Sequence, residues 1–306
     1  MMNNESMEEI GESQEYTEIS TPPMGLKMIA REFKKDKLAL LSLVILLLII
    51  AVTFIGALII DQNNVMTIDI FEKYSPPGGK FFLGADEGGR DVFGQLIIGA
   101  RNSIVIGFAI TIITSVIGVG IGILAGYYGG KVDNFIMRIV DFTMILPMMM
   151  IIIVFVTIIP KYNVWSFILI MSLFYWVAKA RLFRSKTLSE GRRDYVNASK
   201  TMGTSNIKIM FREIMPNLSS LIITNLTMNF AGNIGIETTL TFLGFGLPAN
   251  VPSLGTLISF ASSGDVLVNK QWVWLPASLL ILVLMLSINY VGQAFKRTAD
   301  AKQRLG

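Results

Sequence analysis

Few residues in this sequence have the type and spacing to do chemistry. Asp86, Glu87, Arg90 and Asp91 crowd into one short stretch, interleaved with Gly84 and Gly89. Such a cluster could contact a protein that delivers a substrate, latch a pathway, or close a salt-bridged turn. The glycines require a tight, specific backbone in every case. Asp141 and Glu237 lie in or beside apolar runs, where an ionised carboxylate is costly and often functional. A proton-driven carrier would use such groups as its relay, whereas helix ends reached by water would need no function. Gly79-Lys80 and Gly130-Lys131 lack the earlier glycine and the following hydroxyl of a phosphate-binding loop, so the chain has no P-loop for ATP. It contains no histidine and no cysteine, which excludes Cys/His zinc sites, thiol catalysis, haem ligation through His, Ser-His-Asp triads and disulfides. It reads as a non-enzyme that binds no cofactor of its own.

The elements that position these groups are membrane helices. The chain of 306 residues is 52% hydrophobic and 16% charged, too little charge to cover a soluble domain. Its apolar residues come in blocks of about 20, the length that crosses a hydrocarbon core of about 30 Å. These blocks are Leu38–Ile60, Ser103–Ala125, Ile139–Ile159, Val164–Ala178, Leu218–Leu240 and Trp272–Val291. Leu38–Ile60 is too long for the core of a signal peptide and no small-residue cleavage site follows, so it reads as a retained anchor. The expected organisation is an acidic disordered cytoplasmic tail over 1–23, then an amphipathic helix and anchor over 24–60. An extracytoplasmic segment occupies 61–102, a core of five helices 103–292, and a basic cytoplasmic tail 293–306.

Placing both termini in the cytoplasm puts about 20 of the 26 Lys and Arg residues on that side. The net charge of +4 is therefore a membrane signature, not one of nucleic-acid binding. Gly118, Gly122 and Gly126 form a small-residue stripe on the second span, suited to close helix packing in lipid. Pro147 interrupts the third span and predicts a kink.

Residues 181–216 are polar and too long for a simple connection between spans. Two helical pieces are expected there, about Glu190–Met202 and Ser205–Met215, with Gly203 giving the reversal between them. Pro216 suits the start of the next helix. A part-apolar, part-charged hairpin of this kind can enter a partner's groove or rest on the membrane surface.

Asn197-Ala198-Ser199, Gly203 and Pro216 resemble, in spacing, the Glu-Ala-Ala coupling loop of ABC-importer permeases, with Asn197, Ser199, Glu213 and Met215 as departures. Leu83-Gly84-Ala85-Asp86-Glu87-Gly88-Gly89-Arg90-Asp91-Val92-Phe93 followed by Gly99-Ala100-Arg101 is similar to the signature of C-type subunits of dipeptide and oligopeptide permeases. So are Ala125-Gly126-Tyr127-Tyr128-Gly129-Gly130 with Asp133, Arg138, Asp141 and Pro147, and Phe242-Leu243-Gly244-Phe245-Gly246 with Pro252-Ser253-Leu254-Gly255. Asn289 and Gly292 match the end of the last helix, where Gln293 replaces an acid. The resemblance covers about residues 80–300.

It implies an all-α membrane protein of about six transmembrane helices in the type-I ABC importer permease fold, multi-pass in the cytoplasmic membrane. A second homologous permease, two cytoplasmic ATPase subunits that hold the ATP and Mg, and an extracytoplasmic peptide-binding protein would be its partners, together with membrane lipid. Asp194, Tyr195, Ala198, Gly203, Arg212 and Pro216 would form the ATPase-coupling element. Related systems carry nickel or glutathione, and a proton-coupled secondary transporter is the rival of another class; that rival predicts inverted repeats and broken half-helices, which the sequence does not display.

Overall fold

The computed structural model describes Phe33 and residues 36–304, with side chains to Thr298. The acidic tail over 1–23 and most of the expected amphipathic helix lie outside the described residues. Among the described residues the regular structure is helical, with two isolated β-bridges, Gly78–Phe81 and Ala85–Asp91, in the segment before the second long helix.

The long helices are α1 Lys37–Ile59, α2 Val92–Tyr128, α3 Gly130–Ile145, α4 Met148–Ile158, α5 Val164–Phe174 and α6 Val177–Glu190. After these come α7 Asp194–Thr201, α8 Ser219–Phe242, α9 Leu254–Ser259 and α10 Gln271–Arg304. Four of the spans, α1, α2, α5 with α6, and α10, are long and apolar enough to cross a bilayer. The α3–α4 pair makes a fifth if it counts as one span, and it is bent by 83° at Leu146-Pro147. Proline has no N–H and its ring collides with the preceding turn, so the expected kink is here a full break. The remaining expected run, Leu218–Leu240, is α8, a helix of 24 residues. Asn225, Asn229, Asn233 and Glu237, one every fourth residue, keep its apolarity below that of the others.

Helix α1 is capped by Asp36, whose carboxylate accepts from the backbone N–H groups of Leu38 at 3.0 Å and Ala39 at 3.1 Å. The same carboxylate pairs with Arg297 of α10, and the Phe33 and Phe295 rings meet edge to face at 5.7 Å. The start of α1 is thus fastened to the end of α10, while Leu47, Leu48 and Leu58 point outward as a lipid-facing helix requires.

Helix α2 starts at Val92, well before the apolar run that begins at Ser103. Gln95, Arg101 and Asn102 lower the local hydropathy. Gln95, Gly99 and Ala100 are nonetheless buried, so tertiary packing extends the helix N-terminally past its apolar part. Asp91 sets the start by accepting from Phe93 N at 3.1 Å and Gly94 N at 3.0 Å. The helix ends at Gly129, whose φ of +63° suits glycine.

Helix α6 lies against the glycine stripe of α2. A Cβ on Gly118 would fall 2.8 Å from the Trp176 carbonyl, one on Gly122 2.7 Å from that of Ala180, and one on Gly126 2.6 Å from that of Arg184. The two backbones approach closely because these three positions have no side chain. Helix α3 is joined to α6 by two ion pairs, Arg184 with Asp133 and Arg181 with Asp141. One apolar cluster joins Ala100 and Ile104 of α2 to Ala231 and Ile234 of α8, Leu254 of α9 and Leu284 of α10. Another seats the hairpin after α6 by packing Val196, Ile209 and Ile214 against Val119, Ile123 and Phe183.

Candidate functional site

The hairpin between α6 and α8 is built on its own polar contacts. Helix α6 runs to Glu190, so the first expected piece splits: Glu190 ends one helix, and α7 begins only at Asp194. The Glu190 carboxylate then accepts from Tyr195 Oη at 3.0 Å and pairs with Arg193 Nε at 3.2 Å, which holds the corner. Burial, and secondarily the Glu190 charge, pushes the Tyr195 phenol up to about 12. Tyr195 therefore remains a hydrogen-bond donor throughout the physiological range.

Helix α7 buries Val196 and Ser199 and exposes Asp194, Asn197, Ala198 and Lys200. Gly203 reverses the chain with φ +77°, a left-handed conformation that disfavours any side chain. The return segment carries a turn of α-helix, Asn206–Ile209, then a wide π turn, Met210–Ile214, then Met215–Asn217. Met215 N donates to the Met210 carbonyl, five residues back. Pro216 follows, which could not have donated to the carbonyl of Arg212, so the wide turn precedes the point where the α-pattern must lapse.

Ser199 Oγ donates to Glu213 Oε1 at 2.8 Å, and Tyr127 Oη of α2 donates to Asn206 Oδ1 at 2.8 Å. Lys200 Nζ stands 5.0 Å from the Tyr127 ring centroid. Glu213 and Ser199, departures from the coupling-loop pattern, are thus a matched pair across the hairpin. Of the expected coupling residues, Asp194, Ala198, Gly203, Arg212 and Pro216 are exposed and Tyr195 is half-buried. In sequence Glu190 marks only a helix start, Tyr127 only part of a motif and Asn206 only a capping position; the bond between Tyr127 and Asn206 joins residues distant in the chain. The signal for Glu190 lay in its spacing of five residues from Tyr195.

On the opposite end of the bundle, Asp86 is fully buried. Its carboxylate accepts from Gly88 N at 2.7 Å, Arg90 N at 3.0 Å, Arg90 Nε at 2.9 Å and Gln95 Nε2 at 2.9 Å. Asp91 caps α2, and Glu87 is exposed and pairs with Lys73 at 3.5 Å. Gly84 has φ +79° and lies under Trp272, whose indole N–H donates to the Ala85 carbonyl at 3.3 Å. Gly89 has φ +71° and lies against the Asp69 carbonyl. The cluster is thus a folded knot whose centre is Asp86. Replacing Asp86 with alanine leaves Arg90 and the Gln95 amide without their acceptor, and such losses cost about 3–5 kcal/mol. Thermal unfolding of the detergent-solubilised protein should register this as a clear fall in midpoint; an unchanged midpoint would remove the knot's structural weight.

Glu237 of α8 is also fully buried, and no cation pairs with it among the described residues. Its Oε2 accepts from Ser103 Oγ at 2.9 Å and its Oε1 from Thr241 Oγ1 at 3.0 Å. Each hydroxyl in turn accepts a backbone N–H, Leu254 N at 3.2 Å for Ser103 and Leu247 N at 3.2 Å for Thr241. The carboxylate thereby fastens the segment after α8 to α2. Asn102 Nδ2 adds a bond to the Pro252 carbonyl at 2.8 Å. Glu237 and Asp141, the two carboxylates weighed as a relay, share no hydrogen-bond partner. Deeper in the bundle, Asn233 Nδ2 donates to Thr111 Oγ1 at 2.8 Å, and the buried Lys179 Nζ donates to Thr114 Oγ1 at 2.5 Å.

Residues 118–304 match the model of the binding-protein-dependent transport system inner membrane component, and residues 26–77 that of the N-terminal TM domain of oligopeptide transport permease C. The chain is 51% identical over 276 residues to the oligopeptide transport system permease protein OppC of Lactococcus lactis subsp. lactis, covering 90% of this chain and 94% of that protein. It is 35% identical to the oligopeptide transport system permease protein AmiD of Streptococcus pneumoniae, over 90% of this chain and 89% of that protein. The Bacillus subtilis protein OppC is 32% identical, over 89% and 88%. Among solved structures, a chain of the MetNI methionine ABC transporter in inward-facing conformations aligns with a TM-score of 0.55 and 18% identity, covering 68% of this chain and 96% of that one.

Proposed function

The chain belongs to the family of binding-protein-dependent transport system inner membrane components, and from that premise we propose that it forms half of the gate of an ATP-driven importer of oligopeptides. It is an integral membrane permease with the type-I importer fold. The oligopeptide cargo rests on the identity to the Lactococcus, Streptococcus and Bacillus permeases. A second homologous permease completes the pathway, and an extracytoplasmic binding protein delivers the peptide above the Asp86 knot. ATP and Mg are held by two cytoplasmic ATPase subunits. Both termini face the cytoplasm, on the side of the hairpin.

One observation carries the coupling role: α7 stands out from the bundle with Asp194, Asn197 and Ala198 exposed while Val196 and Ser199 anchor it from behind. An ATPase that grips this face moves Ile209, Ile214 and Val196, which are packed on α2 and α6. Closure of the ATPase dimer is thereby passed to the bundle as a shift between two packed states, and hydrolysis resets it.

The chain lacks cysteine, so Ala198→Cys introduces a unique thiol. Oxidation with a paired cysteine on the ATPase should give a heterodimeric band; capture of lipid reagents alone would overturn the reading. Gly203→Glu places a charged side chain at φ +77°, where an L-residue costs about 1–2 kcal/mol. Peptide uptake should be lost while the binding protein keeps its affinity. Preserved uptake would remove the coupling claim.

A further inference from the structure

An apolar groove of about 710 Å³ runs between α2 and the stretch from Ile207 to Leu226. Its walls include Ile112, Val116 and Ile123 of α2, Phe211 and Met215 of the hairpin's return, and Leu226 of α8. Ser115 and Ser219 are the hydroxyl-bearing residues in the lining. Gly120 forms part of the floor, and a Cβ there would meet nothing within 4 Å.

The groove has a length and a polarity. From Ile112 to Leu124 the helix rises about 18 Å at ~1.5 Å per residue, and one leaflet of a ~30 Å hydrocarbon core is about 15 Å deep. At the hairpin end, Lys208 and Arg212 directly follow the lining residues Ile207 and Phe211. Both are exposed, one helical turn apart, and neither makes an ion pair among the described residues. An apolar slot about one leaflet long, with two exposed cations next in the chain to the residues that line its hairpin end, is complementary to an amphiphile that carries a phosphate. A peptide cargo would leave its backbone groups unsatisfied in such a slot. A neighbouring helix would fill it without using the cations.

We propose that this groove binds an anionic phospholipid, with one acyl chain along α2 and its phosphate held by Lys208 and Arg212. The lipid belongs to the leaflet on the hairpin's side; naming that leaflet cytoplasmic rests on the orientation proposed above, whereas the binding itself does not. The bound chain fills the space behind Phe211 and Met215, so it supports the return segment of the hairpin on the face that α7 leaves bare.

The full importer complex, in phosphatidylcholine nanodiscs doped with phosphatidylglycerol, is irradiated with a photoactivatable phosphatidylglycerol and the labelled peptides are mapped. Label is expected between Ile112 and Leu124 and between Phe211 and Leu226. Reversing both charges, Lys208→Glu with Arg212→Glu, should lower that label by about 25-fold or more, each basic residue near an anionic surface being worth on the order of fivefold. The label from a phosphatidylcholine probe should not fall with it. Gly120→Phe fills the floor and should remove both labels from the groove in complexes that still assemble. Label that maps elsewhere, or that survives the charge reversal, would overturn the proposal. So would a disulfide from Gly120→Cys to the second permease, which would show protein in the slot. Arg212 is also one of the expected coupling residues, so Lys208→Glu alone, expected to lower the label about fivefold, is the variant read beside ATPase crosslinking at Ala198→Cys, and with it the lipid site and the coupling role fail independently.

Discussion

Gly122→Leu is expected to leave almost no assembled permease in the membrane. A Cβ at this position would lie 2.7 Å from the Ala180 carbonyl oxygen, 2.8 Å from Phe183 Cβ and 2.9 Å from Arg184 N. Two of those three atoms are backbone and cannot turn aside, so α2 and α6 must separate. Overpacking of a close interface costs about 1–3 kcal/mol where side chains can adjust, and here they cannot. Separation also stretches the hydrogen bond from Lys179 to Thr114, leaving a buried ammonium less satisfied in lipid. The Arg184–Asp133 pair that holds α3 is pulled apart as well. Gly120→Leu is the control, because it lies between Gly118 and Gly122 on the same helix yet faces open space. Membrane level by immunoblot and the unfolding midpoint in detergent should fall for Gly122→Leu and hold for Gly120→Leu. Equal levels for the two would show that the stripe does not govern the α2–α6 approach.

Glu237→Ala should loosen the end of the bundle where α9 packs and lower uptake severely, with Glu237→Gln intermediate. The reason lies in the direction of the hydrogen bonds. Ser103 Oγ and Thr241 Oγ1 each accept a backbone N–H and donate to the carboxylate. Glutamine offers one carbonyl oxygen and one NH2, so one hydroxyl loses its acceptor. Alanine removes both acceptors and leaves a cavity. Each unsatisfied buried group costs about 1–3 kcal/mol. Gly255 lies against Thr238 and Thr241 with no room for a side chain, so the segment has no alternative seat. Hydrogen exchange of residues 243–259 should quicken most in the alanine variant, less in the glutamine variant, with radiolabelled peptide uptake falling in the same order. Unchanged protection in the alanine variant would show that α9 is held by packing alone.

The resemblance of the Asp86 stretch to a known signature was readable in the sequence, but not the use of each letter. Asp86 stands at the centre of four hydrogen bonds while Glu87 beside it faces solvent, a division that no spacing rule encodes. In the hairpin, Gly203 could be read as a reversal because positive φ is a property of a single residue. The Ser199–Glu213 bond could not, since it spans the reversal and depends on how α7 lies on its return.

Local chemistry alone determined that this chain enters the bilayer, about where its apolar runs lie, that Pro147 kinks one of them and that Gly203 turns the hairpin. Each of these follows from apolar run length, a missing N–H or a missing Cβ, and needs no distant partner. Only the tertiary structure decided that α2 begins well before its apolar part, and that the three glycines of α2 meet the backbone of α6. It also decided that Glu237 binds hydroxyls without a cation, and that a leaflet-deep groove opens beside the hairpin. The physical reason is range: these outcomes depend on atoms that lie far apart in sequence and meet only when the helices pack.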